Sequence, residues 1–524
     1  MKIRMLSAAL LSAAAIACAG FAGGPAQAAD RTLVFADTTL ISSLKSIGYP
    51  EQNFTQQVLD NLLTWDARGN IEPQLAKAYS ISEDRLTYTF DLRQDVTFSD
   101  GTPFNAEIAK RNVDRYGLGD KAKGIPADNR FAGYAGADVL DTYKLRIRLK
   151  HPNPEFIGSL AHAQLAIVGA RTLDLPDFDS QVKLANIVGT GPFVFQSYSP
   201  EDKIVLTRRD DYNWAPASSS VQGPASIKTL VFRAISEVGL RAGAVASGQV
   251  NLARGIQPSD EPLLKSSGLA VFPADTLRSS ANYAVLRALI PEQEAVIGDI
   301  RVREALQRAF DPAELVNAVL SPSYKPATGF WGAHTPGYEN VSAELLGRDI
   351  DRANRLLDEA GWTGRDGDGF RTKNGKRLAI SIAAAASSVA IRPTFEFIES
   401  QWRQIGVQLL NYAGDDTAWN ASQQDLTYSG LAVRNQPPQA LTSLPVRGRL
   451  KSDTELNKLS EAALSAANDE EAAKALAAYG RYLIEKRYVI VTYEEIQVHA
   501  GTKGLKLDFN ATTSPIFRTA VLPE

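Results

Sequence analysis

Residues 86–104 read Leu86-Thr87-Tyr88-Thr89-Phe90-Asp91-Leu92-Arg93-Gln94-Asp95-Val96-Thr97-Phe98-Ser99-Asp100-Gly101-Thr102-Pro103-Phe104. Leu86, Tyr88, Phe90 and Leu92 alternate with polar residues, the period of two that gives a strand one buried face. The break at Arg93-Gln94-Asp95, followed by Val96 and Phe98, predicts a hairpin. Ser99-Asp100-Gly101 is turn chemistry: Asp bonds local backbone and Gly supplies positive φ. Working outward, Leu145, Ile147 and Leu149 alternate between Lys144, Arg146, Arg148 and Lys150, a second half-buried strand. Ile204 and Leu206 repeat the pattern ahead of Arg208-Arg209-Asp210-Asp211-Tyr212, and Gly189-Thr190-Gly191-Pro192 lets two backbones approach closely.

Helical signals gather later in the chain. Asp299 caps a helix whose apolar face is Val302, Leu306, Ala309 and Phe310. Asp311-Pro312-Ala313-Glu314 restarts one, with Pro at the first position and Glu three residues beyond the cap. Ile350, Ala353, Leu357 and Ala360 line a third face that Gly361 ends. Pro393 opens a fourth, carrying Phe395, Ile398, Trp402 and Ile405 and stopped by Gly406. Residues 455–487 read as one or two Ala-rich amphipathic helices. Strands mixed with helices over this length predict an α/β or α+β protein in two lobes.

The chain has 524 residues, 56 Lys+Arg, 59 Asp+Glu, four His and one Cys. That length suggests about three domain-sized units. With 44% hydrophobic and 22% charged residues it is neither disordered nor collagenous. A formal charge of −3 argues against a nucleic-acid partner, which needs a surplus of Lys/Arg. Lys2 and Arg4, the apolar run 6–18 and the small residues Ala26-Gln27-Ala28 read as a secretory signal peptide, 1–28, cleaved after Ala28. Its loss leaves 54 basic against 59 acidic residues, a formal −5. Cys18, preceded by Ala15-Ile16-Ala17, offers the alternative of an acylated lipoprotein cysteine. With cleavage at Ala28 the exported chain, periplasmic on this reading, holds no thiol.

Five segments in order resemble the extracytoplasmic solute-binding proteins of ABC transporters, the family 5 group that handles peptides, nickel and opines. They are Val58-Leu59-Asp60-Asn61-Leu62-Leu63 with Ile71-Glu72-Pro73-Gln74-Leu75-Ala76; Tyr88 to Arg93 with Val96 to Phe104; Gly189 to Phe193 with Leu206 to Trp214; Asp299 to Leu306; and Leu356-Leu357-Asp358-Glu359-Ala360-Gly361-Trp362. Asp299 with Arg301 and Arg303 reads as a cap and a solvated ionic face. The resemblance implies an α/β, two-lobed periplasmic-binding-protein fold, type II-like with the extra subdomain of the peptide-binding group, closing by a hinge. It implies lobe 1 over 29–275, including the extra subdomain at about 71–185, lobe 2 over 276–494, and a return to lobe 1 over 495–524. The hinge falls near 273–281 and 489–498. It further implies a binding protein rather than an enzyme, a monomer without cofactor, whose partners are a small-molecule ligand and membrane permease subunits.

Peptide-binding members of the family carry an acidic residue in a Trp-x-x-Asp-Tyr-x-Asp-Pro-like segment that pairs with the peptide α-ammonium. The matching stretch here is 426–438, where Arg434, Asn435, Gln436 and Pro437 stand at the acidic positions. An arginine fork suits a carboxylate or phosphate instead, so the expected ligand is an anionic or polyhydroxylated solute of the opine or sugar-conjugate kind. Arg434 is the expected anchor, beside Asn435, with a solvent-facing Arg434 as the alternative. Trp331, in Gly329-Phe330-Trp331-Gly332-Ala333-His334, is expected either to stack on ligand or to pack in the core. For Trp419 loop, pocket and core stand level. Tyr49, in a loop after the first strand, and Tyr428 are further candidates. No role is legible for Arg287.

Neither a Gly-x-Ser-x-Gly elbow, a His-Glu-x-x-His nor a phosphate loop occurs. Histidines 151, 162, 334 and 499 are too dispersed to propose a metal site, and Asp366-Gly367-Asp368-Gly369 reads as a polar hairpin turn. An exported hydrolase and a peptide-binding chaperone or sensor remain the alternatives.

Overall fold

The computed structural model describes residues 31–523 apart from 46–48, 154–155, 201, 276, 278, 386–388, 415 and 434–436. The leader 1–28, Arg434 and Asn435 lie outside the described residues. Thr32–Asp37 sits inside a seven-stranded sheet of spatial order Ala270–Asp275, Ile496–Gly501, Leu252–Arg254, Thr32–Asp37, Thr229–Ala234, Lys203–Arg208, Phe193–Ser199. Thr32–Asp37 runs parallel to both of its neighbours, Thr229–Ala234 and Leu252–Arg254, and the outer pairs are antiparallel. Leu33 and Phe35 point to one side, as a period of two requires. There Phe35, Phe232 and Phe517 meet edge to face at centroid distances of 5.1–5.9 Å.

A second sheet of five strands has the order Gln408–Gly414, Ala379–Ala385, Gly430–Val433, Tyr283–Leu286, Val489–Val491. Ala379–Ala385 is parallel to Gln408–Gly414 and to Gly430–Val433, while Tyr283–Leu286 is antiparallel to both of its neighbours. Two chain crossings, 276–282 and 492–495, join the sheets. Their register fixes how the sheets face. Asp275 pairs with Ile496, Tyr283 with both Val433 and Val491. Each crossing therefore runs from the carboxyl edge of one set of parallel strands to the carboxyl edge of the other. The crossings are themselves hydrogen-bonded: Thr492 N–H donates to Asn282 O and Asn282 N–H to Tyr493 O, both at 2.8 Å. Two lobes with the carboxyl edges of their sheets both at the crossings is the arrangement that results.

A four-stranded sheet, Ala76–Ile81, Thr87–Leu92, Lys144–Leu149, Tyr134–Asp141, has its own core of Tyr88, Phe90, Leu145, Ile147 and Phe156. Thr87–Leu92 pairs with Ala76–Ile81 and Lys144–Leu149, not with residues 96–98, so the expected hairpin through Arg93-Gln94-Asp95 does not form. Residues 96–104 close on themselves instead, Phe98 N–H on Thr102 O at 2.8 Å and Phe104 N–H on Val96 O at 3.0 Å. Within that turn Gly101 has φ +81° and Asp100 accepts from Thr102 N–H, as its chemistry predicts. Ser99 N–H reaches Gly189 O at 2.8 Å. Behind it a Cβ on Gly189 would overlap the Val58 carbonyl oxygen, and one on Gly191 would lie 2.5 Å from the Val58 carbonyl carbon.

The helices start and stop where the caps predict. Asp299 accepts from Arg301 N–H, Asp311 from Ala313 and Glu314 N–H, and Asp349 from Arg352 N–H. Gly361 and Gly406 take φ of +85° and +77° just past two helices. The helix Ile391–Gln404 begins two residues ahead of Pro393, and 455–487 holds two helices, Thr454–Leu464 and Asp469–Glu485. Trp402 is fully buried and its Nε1 donates to Leu306 O at 2.9 Å. Two arginines depart from expectation. Arg303 is buried rather than solvated, donating to the carbonyls of Ile297, Gly298 and Lys486. Arg287 is likewise buried and donates to the carbonyls of Ser422, Gln423 and Asp425, satisfying the open end of the helix Asp416–Ser422.

Gly189→Ala forces Val58 off its path and is expected to destabilise the chain by more than the 1–3 kcal/mol typical of an overpacked core. Gly243→Ala, in a helix with open space around it, is expected to gain up to about 1 kcal/mol. Denaturant titrations of the two variants check the contrast.

Candidate functional site

The opposed carboxyl edges are the place where a solute can be held between the lobes, since open α/β sheets bind ligands outside the carboxyl ends of their strands. On the first sheet these ends are Asp37, Ala234 and Arg254; on the second, Ala385, Gly414 and Val433. The edges come together: a Cβ built on Gly255 would stand 4.0 Å from Val389 Cγ1.

Asp37 and Arg254 end adjacent strands, and their side chains are 2% and 5% exposed. Arg254 Nη2 lies 2.6 Å and Nε 2.8 Å from Asp37 Oδ1, with Nη2 also 3.1 Å from the Thr38 hydroxyl. Asn53 donates to Asp37 Oδ2 at 2.7 Å and Thr38 N–H to Oδ1 at 2.6 Å. Burial acts to raise the Asp37 pKa, but the Arg254 charge and these hydrogen bonds outweigh it and hold the carboxyl below its ordinary value. The carboxylate is therefore engaged on both oxygens.

Arg241, on the helix Val238–Ala246, lies under the same edge and is 1% exposed. Its guanidinium bonds carbonyl oxygens alone: Ile235 at 2.8 Å, Ser236 at 2.9 Å, Gly255 at 3.0 Å and Arg254 at 3.3 Å. Burial, and then repulsion from Arg254, lowers its pKa to about 10, still far above neutrality. His499, opposite Arg254 on the neighbouring strand, is fully buried. Burial and the Arg254 charge push it to about 3, so it stays neutral. Two buried arginines thus face one buried carboxylate, Asp37, a neutral imidazole and the exposed Glu237 at the start of Arg241's own helix.

Of the residues expected at the site, Trp331 belongs to the core. It is 2% exposed, its Nε1 donates to Leu476 O at 2.7 Å, and it packs against Phe330 and Tyr479. Tyr49 opens a helix, Tyr49–Val58, instead of lying in a loop; its side chain is outside the description. Trp419 is half-buried on the helix Asp416–Ser422, which follows the carboxyl end of Gln408–Gly414. Tyr428 stands at the amino end of Gly430–Val433, edge to face with Tyr412 at 5.2 Å. Arg434 and Asn435, which come after this strand in sequence, lie outside the described residues. Sequence reasoning missed Asp37, Arg241 and Arg254. The one signal was Arg254 as the single charge in the run Val250 to Ile256. Among the described residues no three His, Cys, Asp or Glu side chains stand together as a metal site, and no helix is long and apolar enough to cross a membrane.

The description "bacterial extracellular solute-binding proteins, family 5 Middle" matches residues 70–445. The chain belongs to that family. It is 29% identical over 385 residues to the nickel-binding periplasmic protein of Escherichia coli strain K12, covering 72% of this chain and 70% of that one. It is 24% identical over 384 residues to a glutathione-binding protein of the same strain, covering 72% and 67%. Among solved structures it shares its fold with NikA from Brucella suis in complex with Fe(III)-EDTA, with a TM-score of 0.82 at 21% identity over 94% of this chain and all of that one. It also shares it with the oligopeptide-binding protein AppA from Bacillus subtilis in complex with a nonapeptide, at 0.75 and 18% over 94% and 99%. This family 5 member is a solute-binding protein of the ABC-importer type, and its relatives are periplasmic.

Asp37→Asn strands Arg254 in the interior and is expected to cost about 3–5 kcal/mol at neutral pH. Because the folded-state pKa of Asp37 is depressed, the wild-type advantage is full above the unfolded value, about 3.9, and fades as pH falls through the folded one. Denaturant unfolding of both proteins from pH 7 to pH 2 reads the difference.

Proposed function

We propose that this protein is exported through the leader 1–28, cleaved after Ala28, and captures an anionic small solute between its lobes for delivery to a membrane permease. The lobes of this reading are 29–275 with 495–524, and 276–494, hinged at the two crossings. The solute is a carboxylate-bearing conjugate of the opine or sugar–amino acid kind, anchored by Arg434 and Asn435 at the carboxyl end of Gly430–Val433 and bordered by Trp419. The observation that carries the reading is the Arg241 guanidinium, sealed among four backbone carbonyls beside an Asp37–Arg254 pair that is already neutral. It adds a second buried guanidinium under the cleft, with only the already engaged Asp37 and the solvent-exposed Glu237 as nearby carboxylates, and low dielectric lengthens its reach. A peptide α-ammonium meets the wrong sign there, and Asp37, engaged on both oxygens, is not free to receive it.

A second reading has support of its own. A relative at 29% identity is named for nickel, and a relative in fold was solved with Fe(III)-EDTA, itself an anion. The same positive cleft suits an anionic metal chelate, with the metal arriving as cargo inside its own chelator.

Thermal unfolding against opines, acidic sugar conjugates, Fe(III)-EDTA, nickel–histidine and di- and tripeptides sorts these readings. Binding to the native state stabilises it by about 2.7 kcal/mol at a hundredfold excess over Kd. The expected result is an upward shift with anionic conjugates, abolished by Arg434→Ala. Shifts with the chelates alone select the second reading, and shifts with peptides alone contradict both.

A further inference from the structure

Among the described residues, three side-chain links join the halves of the molecule besides the Asn282–Glu495 bond between the crossings themselves. Glu261 accepts from the hydroxyls of Ser321 and Ser323, and Asp275 pairs with Lys325 at 3.0 Å. Both lie beside the crossings, since Lys325–Pro326 pairs with Tyr493–Glu494 inside the second one. The third comes from elsewhere. Arg85, at the tip of the turn between Ala76–Ile81 and Thr87–Leu92 in the four-stranded sheet, reaches across to the second half. Its Nη1 donates to Ala467 O and its Nη2 to Asp469 Oδ1, each at 3.4 Å.

The backbone at Arg85 is costly. Arg85 has φ +54°, the left-handed region that favours glycine or asparagine. The turn around it is closed by its own bonds, Arg85 N–H to Ser82 O, Thr87 N–H to Ser82 Oγ and Leu86 N–H to Asp84 Oδ1, none of which needs an arginine side chain. A glycine would serve the turn with less strain. What arginine adds is reach and charge. Its side chain is 17% exposed although it sits on a turn tip, while Asp469 opposite is 94% exposed. The target is the first turn of Asp469–Glu485, where Asp469, Glu470 and Glu471 gather. Of these Asp469 faces Arg85, while Glu470 pairs with Lys474 at 2.6 Å and Glu471 accepts from Ala467 N–H, so the cation meets one carboxylate and the Ala467 carbonyl. In the same structure a Cβ built on Gly255 would stand 4.0 Å from Val389 Cγ1, so the Arg85 link is made while the two carboxyl edges lie near one another.

We propose that Arg85 and the Ala467–Asp469 segment form a clasp, outside the ligand cleft, through which the four-stranded unit holds the lobes closed. It rests on the two-lobed closing reading and does not involve the solute. The link pulls from a unit that belongs to neither crossing, so breaking it releases the lobes without disturbing the pivot.

Electron–electron distance measurements on spin labels at Glu83→Cys and Ala478→Cys, in the ligand-free chain carrying Cys18→Ser, test this directly. Both label sites are exposed. Arg85→Gly suits the left-handed turn, so its melting temperature is expected to hold or rise. It is expected to raise the long-distance population about two- to fivefold, the range for an exposed ion pair. Asp469→Asn should give a smaller shift in the same direction, and the double variant no more than Arg85→Gly alone. In 1 M KCl, where screening shortens to about 3 Å, the parent should approach the variants. Distance distributions that stay the same in parent and Arg85→Gly, or effects that simply add in the double variant, overturn the clasp. Because no solute is present, that failure leaves the solute-binding reading standing.

Discussion

Asp37 and Arg254 lie 217 residues apart and end neighbouring parallel strands, where their charges meet out of water. Burying either alone would cost several kcal/mol, so the two hold one another and fix the strand ends that carry them. Phe35 pairs with Leu252 and Ala36 with Ala253, which sets the register that brings the carboxylate to the guanidinium. The rest of the site follows from that neutralised pair. Arg241, next to it, donates to the carbonyls of the same edge and has only the engaged Asp37 and the exposed Glu237 as nearby carboxylates, so a second buried guanidinium stands beside the pair. His499 adds nothing to that charge, because burial and Arg254 keep its imidazole neutral.

Much of the scaffold was legible because its determinants are local. Asp299 and Asp311 cap helices through bonds to residues two or three positions on, and Gly361 and Gly406 end helices by a positive φ that a sequence can announce. The blocks around Asp100 and Gly189 were legible as motifs, and their joint role is now physical: Ser99 leans on Gly189, which leans on Val58. Misreadings came where a distant partner decided. The strand Thr87–Leu92 prefers Lys144–Leu149 over the adjacent 96–98 because that pairing completes a buried face of Tyr88, Phe90, Leu145 and Ile147.

Charged residues misled most. Arg303 looked solvated in sequence and Arg287 had no legible role, yet both are buried with backbone carbonyls as partners, and a carbonyl leaves no mark in the amino-acid alphabet. Arg241 escaped notice for the same reason. Among the aromatics, Trp331 sat in a small-residue loop that suggested a binding wall; its indole N–H finds Leu476 O in the core instead. Tyr428 was a candidate beside Tyr49, but it stands at the amino end of Gly430–Val433, the edge away from the cleft. A site built from strand ends is scattered along the chain, and only the topology gathers it.

The central claim is that the solute sits between the two carboxyl edges. Hydrogen–deuterium exchange of the protein with and without a stabilising solute tests it most directly. The account predicts new protection at residues 38–41, 255–256, 386–390 and 434–437 together, from both lobes at once. Protection confined to 422–429, at the opposite edge of the second sheet, or to the four-stranded unit alone, would contradict it.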